Sequence, residues 1–289
     1  CKMTDHPKLH VTNYLNAVGY VLNFVITFAG VGGENNATIS AKYQTIITPA
    51  GWAFSIWGLI FTMQAIFVVL QLLPDHRRLP LVKEGVGYWY FGTCIFQVAW
   101  TCAFSYEVLW LSVLFMALIL LTLIAIIKNQ SKIPPDGTNQ DFWLLRFPFS
   151  IHCGWIMVAF AVNVNVLVVA SNAKSRTQVE WAIVSLAYIA FSSIYVLFCK
   201  RTTDTTMALV IAWAALAIAI ELTDPIDKID DTFGGGTITT IQAICATVCG
   251  VILFTAIIKV ILMCCAYRSA EGTEDSPLSA GSKHNYGHV

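Results

Sequence analysis

The feature that most constrains this chain is a series of long, almost uninterrupted apolar runs. Eight of them, at 14–31, 51–73, 87–105, 108–127, 146–170, 179–199, 205–221 and 238–265, read as membrane crossings. Crossing a hydrocarbon layer of ~30 Å takes about 20 apolar residues in a helix. Inside lipid every backbone N–H and C=O must be satisfied without water, which leaves helices or closed barrels. A barrel would need alternating segments of about 10 residues, and these runs are continuous. The expected fold class is therefore all-α, a polytopic transmembrane bundle of about eight helices. Seven spans is the alternative, because 205–221 is short. Turn signals at Gly32-Gly33, Pro74, Pro134-Pro135-Asp136-Gly137 and Gly234-Gly235-Gly236 separate the runs.

Charge supports a lipid environment. Only 12% of residues are charged and 57% are hydrophobic, against about 25% charged in an ordinary soluble domain. The net charge of zero gives no sign of a nucleic-acid partner. The partners expected are membrane lipids and a small lipophilic molecule. The sequence has no GK[ST], HExxH, G-x-S-x-G or paired CxxC pattern, so no enzyme class and no metal site is indicated. The acidic stretch 224–231 lacks EF-hand spacing and reads as a solvated loop. Residues 1–13 are polar and do not resemble a signal peptide. The chain starts at Cys1 rather than methionine, so the native N-terminus is expected further upstream.

Basic residues orient the bundle. With eight spans, Lys2, Lys8, Arg77, Arg78, Lys83, Lys128, Lys132, Arg146, Lys200, Arg201, Lys259, Arg268 and Lys283 fall on the side of both termini. Lys42, Lys174, Arg176 and Lys228 fall on the other. Both termini are accordingly expected in the cytoplasm, with a plasma or internal membrane as the location. The sequon Asn36-Ala37-Thr38 lies on the outer side, which makes Asn36 a glycosylation candidate, whereas the sequon at Asn129 lies inside. Cys264 and Cys265, at the inner end of the last span, are palmitoylation candidates.

Charged residues within membrane spans usually mark ion or proton paths. Here Glu107, Glu180 and Glu221 sit at span ends, and Lys259 is near enough to one to snorkel. A charge-coupled pump is excluded on this pattern, as is a retinal protein, which needs a mid-membrane lysine. What the spans do contain is neutral polarity at helical spacing. Asn13, Asn16, Tyr20, Asn23 and Thr27 share one face of span 1, and Trp57, Gln64 and Gln71 repeat along span 2. Thr93, Gln97, Trp100 and Thr101 cluster in span 3; His152, Trp155, Ala159 and Asn163 form a stripe in span 5; Trp181, Ser185, Tyr188, Ser192 and Tyr195 form one in span 6. An amide facing lipid costs roughly 2–7 kcal/mol, so these stripes are expected to face inward. Helix–helix adhesion is one explanation for them. The combination of indoles with amides in spans 2, 3 and 5 favours a cavity for a planar apolar ligand. His152 reads either as a neutral packing histidine or as a haem-type ligand.

Three patches resemble the translocator protein / tryptophan-rich sensory protein (TspO) family. They are ITPAGWAFSIWGLIF at 47–61, Phe96-Gln97-Val98-Ala99-Trp100 through Phe104, and Gly154-Trp155 with Ala159 and Asn163. The family's patterns at these places are a proline–tryptophan lead-in to helix 2, Asn-x-x-Trp with following phenylalanines on helix 3, and Trp, Ala and Asn at offsets of four and eight on helix 5. Gln97 stands where the family usually has asparagine, and Pro148 lies further from Trp155 than the family's proline does. The resemblance covers about 14–170, and spans 6 to 8 have no counterpart in five-helix members. It divides the chain into a cytoplasmic segment 1–13, a TspO-like five-helix bundle 14–170, three additional helices 171–265 and a flexible cytoplasmic tail 266–289.

The resemblance implies a pocket for a porphyrin, steroid or similar lipophile, built from Trp57, Gln97, Trp100, Trp155, Ala159 and Asn163. Loop 34–48 would lie over its mouth, and Asn23, Gln64 and His152 form a secondary candidate set. No cofactor is obligatory, although a porphyrin or haem-like ligand fits. A homodimer or a membrane-complex partner is also in keeping with the family. Beside a sensor, receptor or carrier stand two alternatives: a transporter for a neutral lipophilic solute, or a structural subunit of a membrane complex. Within ITPAGWAFSIWGLIF, Trp52 lies about 140° around the helix from Trp57. Trp57 is thus expected to point inward and Trp52 to sit at the membrane edge or pocket mouth.

Overall fold

The computed structural model describes residues 8–199 and 204–274. Among these residues every regular element is helical: α1 (Val11–Ala29), α2 (Asn36–Lys42), α3 (Ile56–Leu70), α4 (Trp89–Ser105), α5 (Leu109–Gln130), α6 (Phe147–Ala170), α7 (Ser175–Ile194), α8 (Thr206–Glu221) and α9 (Asp227–Glu274). All eight expected crossings correspond to one of these helices. A 3₁₀ turn, Gly51–Ser55, leads into α3, and π-helical turns at Asp141–Arg146 and Tyr195–Cys199 extend α6 and α7. By length and apolarity alone, 51–70, 109–130, 141–170, 175–198 and 227–262 are long enough to cross a membrane. Helix α8, with 16 residues, and α4, with 17, are shorter. Helix α1 has its amides on one side: Asn13, Asn16 and Asn23 are buried, while Val18, Val21 and Val25 are exposed. It therefore presents a lipid-compatible outer face.

The helices form two groups. In the first, α1 packs on α3, α3 on α6, α6 on α5, α5 on α4 and α4 on α1, closing a five-helix ring. In the second, α7 and α8 pack against the outside of α6, and α9 packs on both. The junction is tight at Gly154 of α6. A Cβ there would stand 3.0 Å from the Cα and carbonyl oxygen of Met207 on α8.

Ring and flank are sealed differently. At the ring end where α1 starts, here the near end, Asn13 and Gln71 exchange side-chain-to-backbone hydrogen bonds. Asn16 Nδ2 donates to Gln71 Oε1 and to the Gly87 carbonyl. Arg146 closes the α5–α6 connection: it pairs with Asp141 at 2.7 Å and donates to the carbonyls of Gln130 and Ile133. Beside it, Ser150 hydrogen-bonds Asp204. The flank, by contrast, packs through alanines: Ala208, Ala212, Ala214, Ala215, Ala217 and Ala219 of α8 are all buried. Small side chains let membrane helices approach closely.

Three expectations from the sequence need correction. Trp181 and Tyr195 do not face inward with the rest of the α7 stripe; they are 44% and 56% exposed, whereas Ser185 and Ser192 are buried. Both lie towards the ends of α7, where an aromatic ring with a polar edge suits the membrane–water boundary. The acidic stretch is not an open loop throughout, because α9 already starts at Asp227, with Asp227 and Asp230 in its first turn. Carboxylates there complement the helix dipole. Helix α9 also continues past 265 to Glu274, with a break at Gly234 (φ 68°), so residues 266–274 are helical rather than part of a tail.

Candidate functional site

The site is built where α3 and α6 face each other inside the ring. Phe67, Tyr90 and Phe149 fill the space beneath it towards the near end, with ring centroids 4.8–5.9 Å apart. Above them Gln64 of α3 is buried, and its amide is held from two sides. The Tyr90 hydroxyl donates to Oε1 at 3.2 Å, and Nε2 lies 2.8 Å from His152 Nδ1 on α6. The Trp57 ring stands edge-on to His152 at 5.7 Å and to Trp155 at 6.4 Å. Phe54 completes the group, edge-on to Trp155 at 5.5 Å.

Trp57, Gln64, His152 and Trp155 are thus brought together, two members of the secondary set, Gln64 and His152, with two of the first, Trp57 and Trp155. Asn23 is not part of this cluster; its Oδ1 accepts from Thr27 within α1. Trp100 and Asn163 meet elsewhere in the ring, nearer the far end. Trp100 Nε1 donates to Asn163 Oδ1 at 2.7 Å, and Asn163 Nδ2 donates to Ser112 at 2.9 Å. Their polar groups are occupied by one another, so they link α4, α5 and α6. Ala159 is half-buried between the two levels. Gln97 is buried on α4, one turn before Trp100.

The polar atoms left without partners are concentrated in the ring. Gln97 Oε1, His152 Nε2 and Trp155 Nε1 are buried and have no hydrogen-bond partner. Asn16 Oδ1 is a fourth, at the near end. Each such group costs about 1–3 kcal/mol in desolvation if nothing answers it. Three of them lie in one five-helix interior, and two of those three border the same indole. Trp57 is itself only half-buried, which leaves it room to turn. Two open concavities lie away from this cluster. One of about 730 Å³ runs along Gly235–Val248 of α9; the other, about 290 Å³, is at the near end beside Asp141, Arg146 and Asp204.

Loop 34–48 lies at the far end of the ring. It carries α2, whose Ile39 is fully buried against Phe104, Leu109 and Val166, with Trp100 alongside. Lys42 pairs with Glu107 at 2.7 Å, and the Tyr43 hydroxyl donates to the same carboxylate at 2.5 Å. The hydrogen bond from Lys42 holds the Glu107 carboxyl below its ordinary range and raises the Lys42 ammonium. The flank holds the next stretch. Gln44 bonds Glu221 at 2.9 Å, Lys228 Nζ donates to the Lys42 carbonyl at 2.9 Å, and the Ala50 N–H donates to Ala217 at 3.2 Å. Trp52 is 41% exposed and sits edge-on to Trp213 of α8 at 4.6 Å.

Ile39, Phe54, Tyr90 and Ser112 were not singled out by sequence. Tyr90 carried a signal, since it lies seven residues before Gln97 on the same helical face. Ile39 carried none, because it belongs to a seven-residue helix with no amphipathic run. Asn36 lies in α2 with its side-chain oxygen unpartnered. Cys265 is exposed, whereas the Cys264 side chain lies outside the described residues.

A comparison with protein families corrects the extent of the resemblance. The family described as TSPO-like protein matches residues 11–258. The match continues beyond 170 through α7, α8 and much of α9, so the flank lies within the matched region and is not an appendage to it. No functionally curated protein and no solved structure matches the chain. With a match over most of its length and a bundle of long apolar helices, the chain is an integral membrane protein that belongs to the TSPO-like protein family.

Proposed function

We propose that this protein binds a planar, lipophilic small molecule inside the five-helix ring, against Trp57, and acts as a membrane sensor or carrier rather than as an enzyme. The observation that supports this best is the pair of buried, unpartnered donors, His152 Nε2 and Trp155 Nε1, whose rings both border Trp57. Indole faces give a flat ligand a stacking surface, and a few unmet polar atoms orient it. A ligand lying against Trp57 would displace its ring from the edge-on contacts with His152 and Trp155. Gln97 lies on the facing helix and supplies an acceptor. Trp100 and Asn163 keep α4 and α6 at a fixed distance. Loop 34–48 covers the far end, so the ligand reaches the site laterally, from the lipid.

The charge distribution favours cytoplasmic termini, with α2 outside and Asn36 available for a glycan. The binding test uses the full chain in lipid nanodiscs, with tryptophan fluorescence quenched by protoporphyrin. Trp57→Ala and Trp155→Ala are each expected to weaken quenching about tenfold, which corresponds to ~1.4 kcal/mol. Parent-like quenching in both variants would remove the site assignment.

A further inference from the structure

The stretch that leads into α3 is tied to the flank along its length. Trp213, Ala217 and Glu221 recur every four residues on one side of α8. Trp213 Nε1 donates to the Ala53 carbonyl at 3.4 Å, the Ala50 N–H donates to the Ala217 carbonyl at 3.2 Å, and Gln44 Nε2 donates to Glu221 Oε1 at 2.9 Å. The order is reversed between the two partners, so 44–53 runs antiparallel to α8 over about 12 Å, roughly two helical turns. Trp52 adds its edge-on contact with Trp213. On the ring side, Glu107 holds Lys42 and Tyr43, which fixes α2 but stops short of this segment.

The segment is also folded on itself. Thr45, Ile46, Ile47 and Thr48 are all buried. Buried backbone groups need partners, and here the two threonines supply them. The Thr45 N–H donates to Thr48 Oγ1, the Ile47 N–H to Thr45 Oγ1, and the Thr48 N–H to the Thr45 carbonyl. A turn closed in this way shifts as a unit. Its C-terminal end passes into the 3₁₀ turn Gly51–Ser55 and then α3. Phe54, edge-on to Trp155, is the next residue after Ala53, and Trp57 lies one helical turn further on.

The near end of α8 is fixed, by the close approach of Met207 to Gly154 and the bond from Ser150 to Asp204. A swing of α8 against α6 is therefore widest at its far end, where the three ties lie. Those ties are partly open to solvent: Trp213 is 39% exposed, and Gln44 and Glu221 are half-buried. Water replaces hydrogen bonds of this kind at small net cost.

We propose that the far half of α8 is a latch on the lead-in to α3, through which the flank sets the position of Phe54 and Trp57 and so regulates the ring site. As regulation it rests on the binding site proposed above; the coupling itself is read without a ligand.

The test uses the full chain in nanodiscs, labelled with 5-fluorotryptophan, with the Trp57 fluorine resonance assigned from Trp57→Phe. Glu221→Ala combined with Trp213→Phe removes two ties, and hydrogen exchange in 44–55 is expected to rise about tenfold. Exchange in 64–71 should stay at the parent level, and the Trp57 resonance should move although both substitutions lie in α8. Gln44→Ala breaks one of these ties from the segment's own side and should act in the same direction. Glu221→Gln keeps an acceptor for Gln44 and should behave as the parent does. Glu107→Ala, on the ring side, should speed exchange in 36–43 and leave the Trp57 resonance in place. Parent-like exchange in 44–55 in both the double variant and Gln44→Ala would overturn the latch. Faster exchange there with an unmoved Trp57 resonance would overturn the coupling. An equal rise across 64–71 would mean general loosening and would overturn it as well. A moved Trp57 resonance in a chain that binds no protoporphyrin would remove the binding reading and leave the latch standing.

Discussion

The five-helix ring and the three-helix flank share one membrane layer and one helix, α6, as their common wall, yet they are built from different materials. Ring seams contain Asn13, Asn16, Gln64, Gln71, Thr93, Gln97, Thr122, His152 and Asn163, all buried. Flank seams are mostly alanine, valine and isoleucine, with Asn165–Ser185 and the bond from Gln242 to the Ala219 carbonyl as polar links. Membrane hydrogen bonds contribute only about 0.6 kcal/mol each, so ring polarity in excess of what packing uses is an expensive way to hold helices together. Its unpartnered atoms are the better guide to purpose. Among the described residues, the flank has no buried polar side-chain atom without a partner. On the function proposed above, the contrast separates recognition, placed in the ring, from scaffolding, placed in the flank. The flank's role extends to the far end, where Glu221, Ala217 and Lys228 hold the 42–50 stretch.

The largest effect is expected where ring polarity is most fully committed. Arg146→Met strands the Asp141 carboxylate, which is 7% exposed, and frees two carbonyls. Breaking a buried pair from one side costs roughly 3–5 kcal/mol. Thermal unfolding in detergent should register this as loss of the folded protein at ordinary temperatures; a melting point near the parent's would mean the near end is more hydrated than the structure indicates. Next comes the wall between the groups. Gly154→Val places branched carbons against the Met207 backbone, and overpacking of this kind costs typically 1–3 kcal/mol. Intramolecular cross-linking between cysteines introduced on α6 and α8 should fall, while cross-linking between α4 and α5 should stay at the parent level.

A smaller loss is expected from Gln64→Leu, which leaves His152 Nδ1 and the Tyr90 hydroxyl unanswered, at about 1–3 kcal/mol. Gln242→Leu in the flank removes one bond to a carbonyl and should cost under about 1 kcal/mol. Equal losses from the two would erase the distinction between ring and flank. The smallest effect is a pH response at the far end. The Glu107 carboxyl is lowered, so its contribution is present above the ordinary value of 4.5 and lost as pH falls through the lowered one. Lys42 is raised, so its contribution is present below 10.5 and lost as pH rises through the raised value. Hydrogen exchange in 36–43, corrected for intrinsic rates, should be flat from about pH 5 to 10. Glu107→Gln should remove the acid-side change.

How much of this could be read in the sequence follows from what each element depends on. The eight long helices were legible because apolarity over about 20 residues is a local property. Helix α2 was not, because only the burial of Ile39 among distant residues sets its position. Helix faces correctly turned Trp57, Gln64 and His152 inward, since a helical repeat fixes direction. The same logic misplaced Trp181 and Tyr195, because an amphipathic ring near a span end is stable facing the interface. It also could not say that Trp100 and Asn163 would use up each other's polar atoms while Trp155 kept its own free. Partnership across helices depends on register between elements, and no single repeat encodes it.

The central claim is that ligand recognition belongs to the ring and not to the flank. Its most direct test is photolabelling of the full chain in nanodiscs with a diazirine-bearing steroid ketone, followed by peptide mapping. The account predicts label on α3, α4 and α6 around Trp57, Gln97 and Trp155, competed by unlabelled ketone and lost in Trp57→Ala. Competed label concentrated on α7, α8 or the α9 groove at Gly235–Val248, with none on α3, would contradict it.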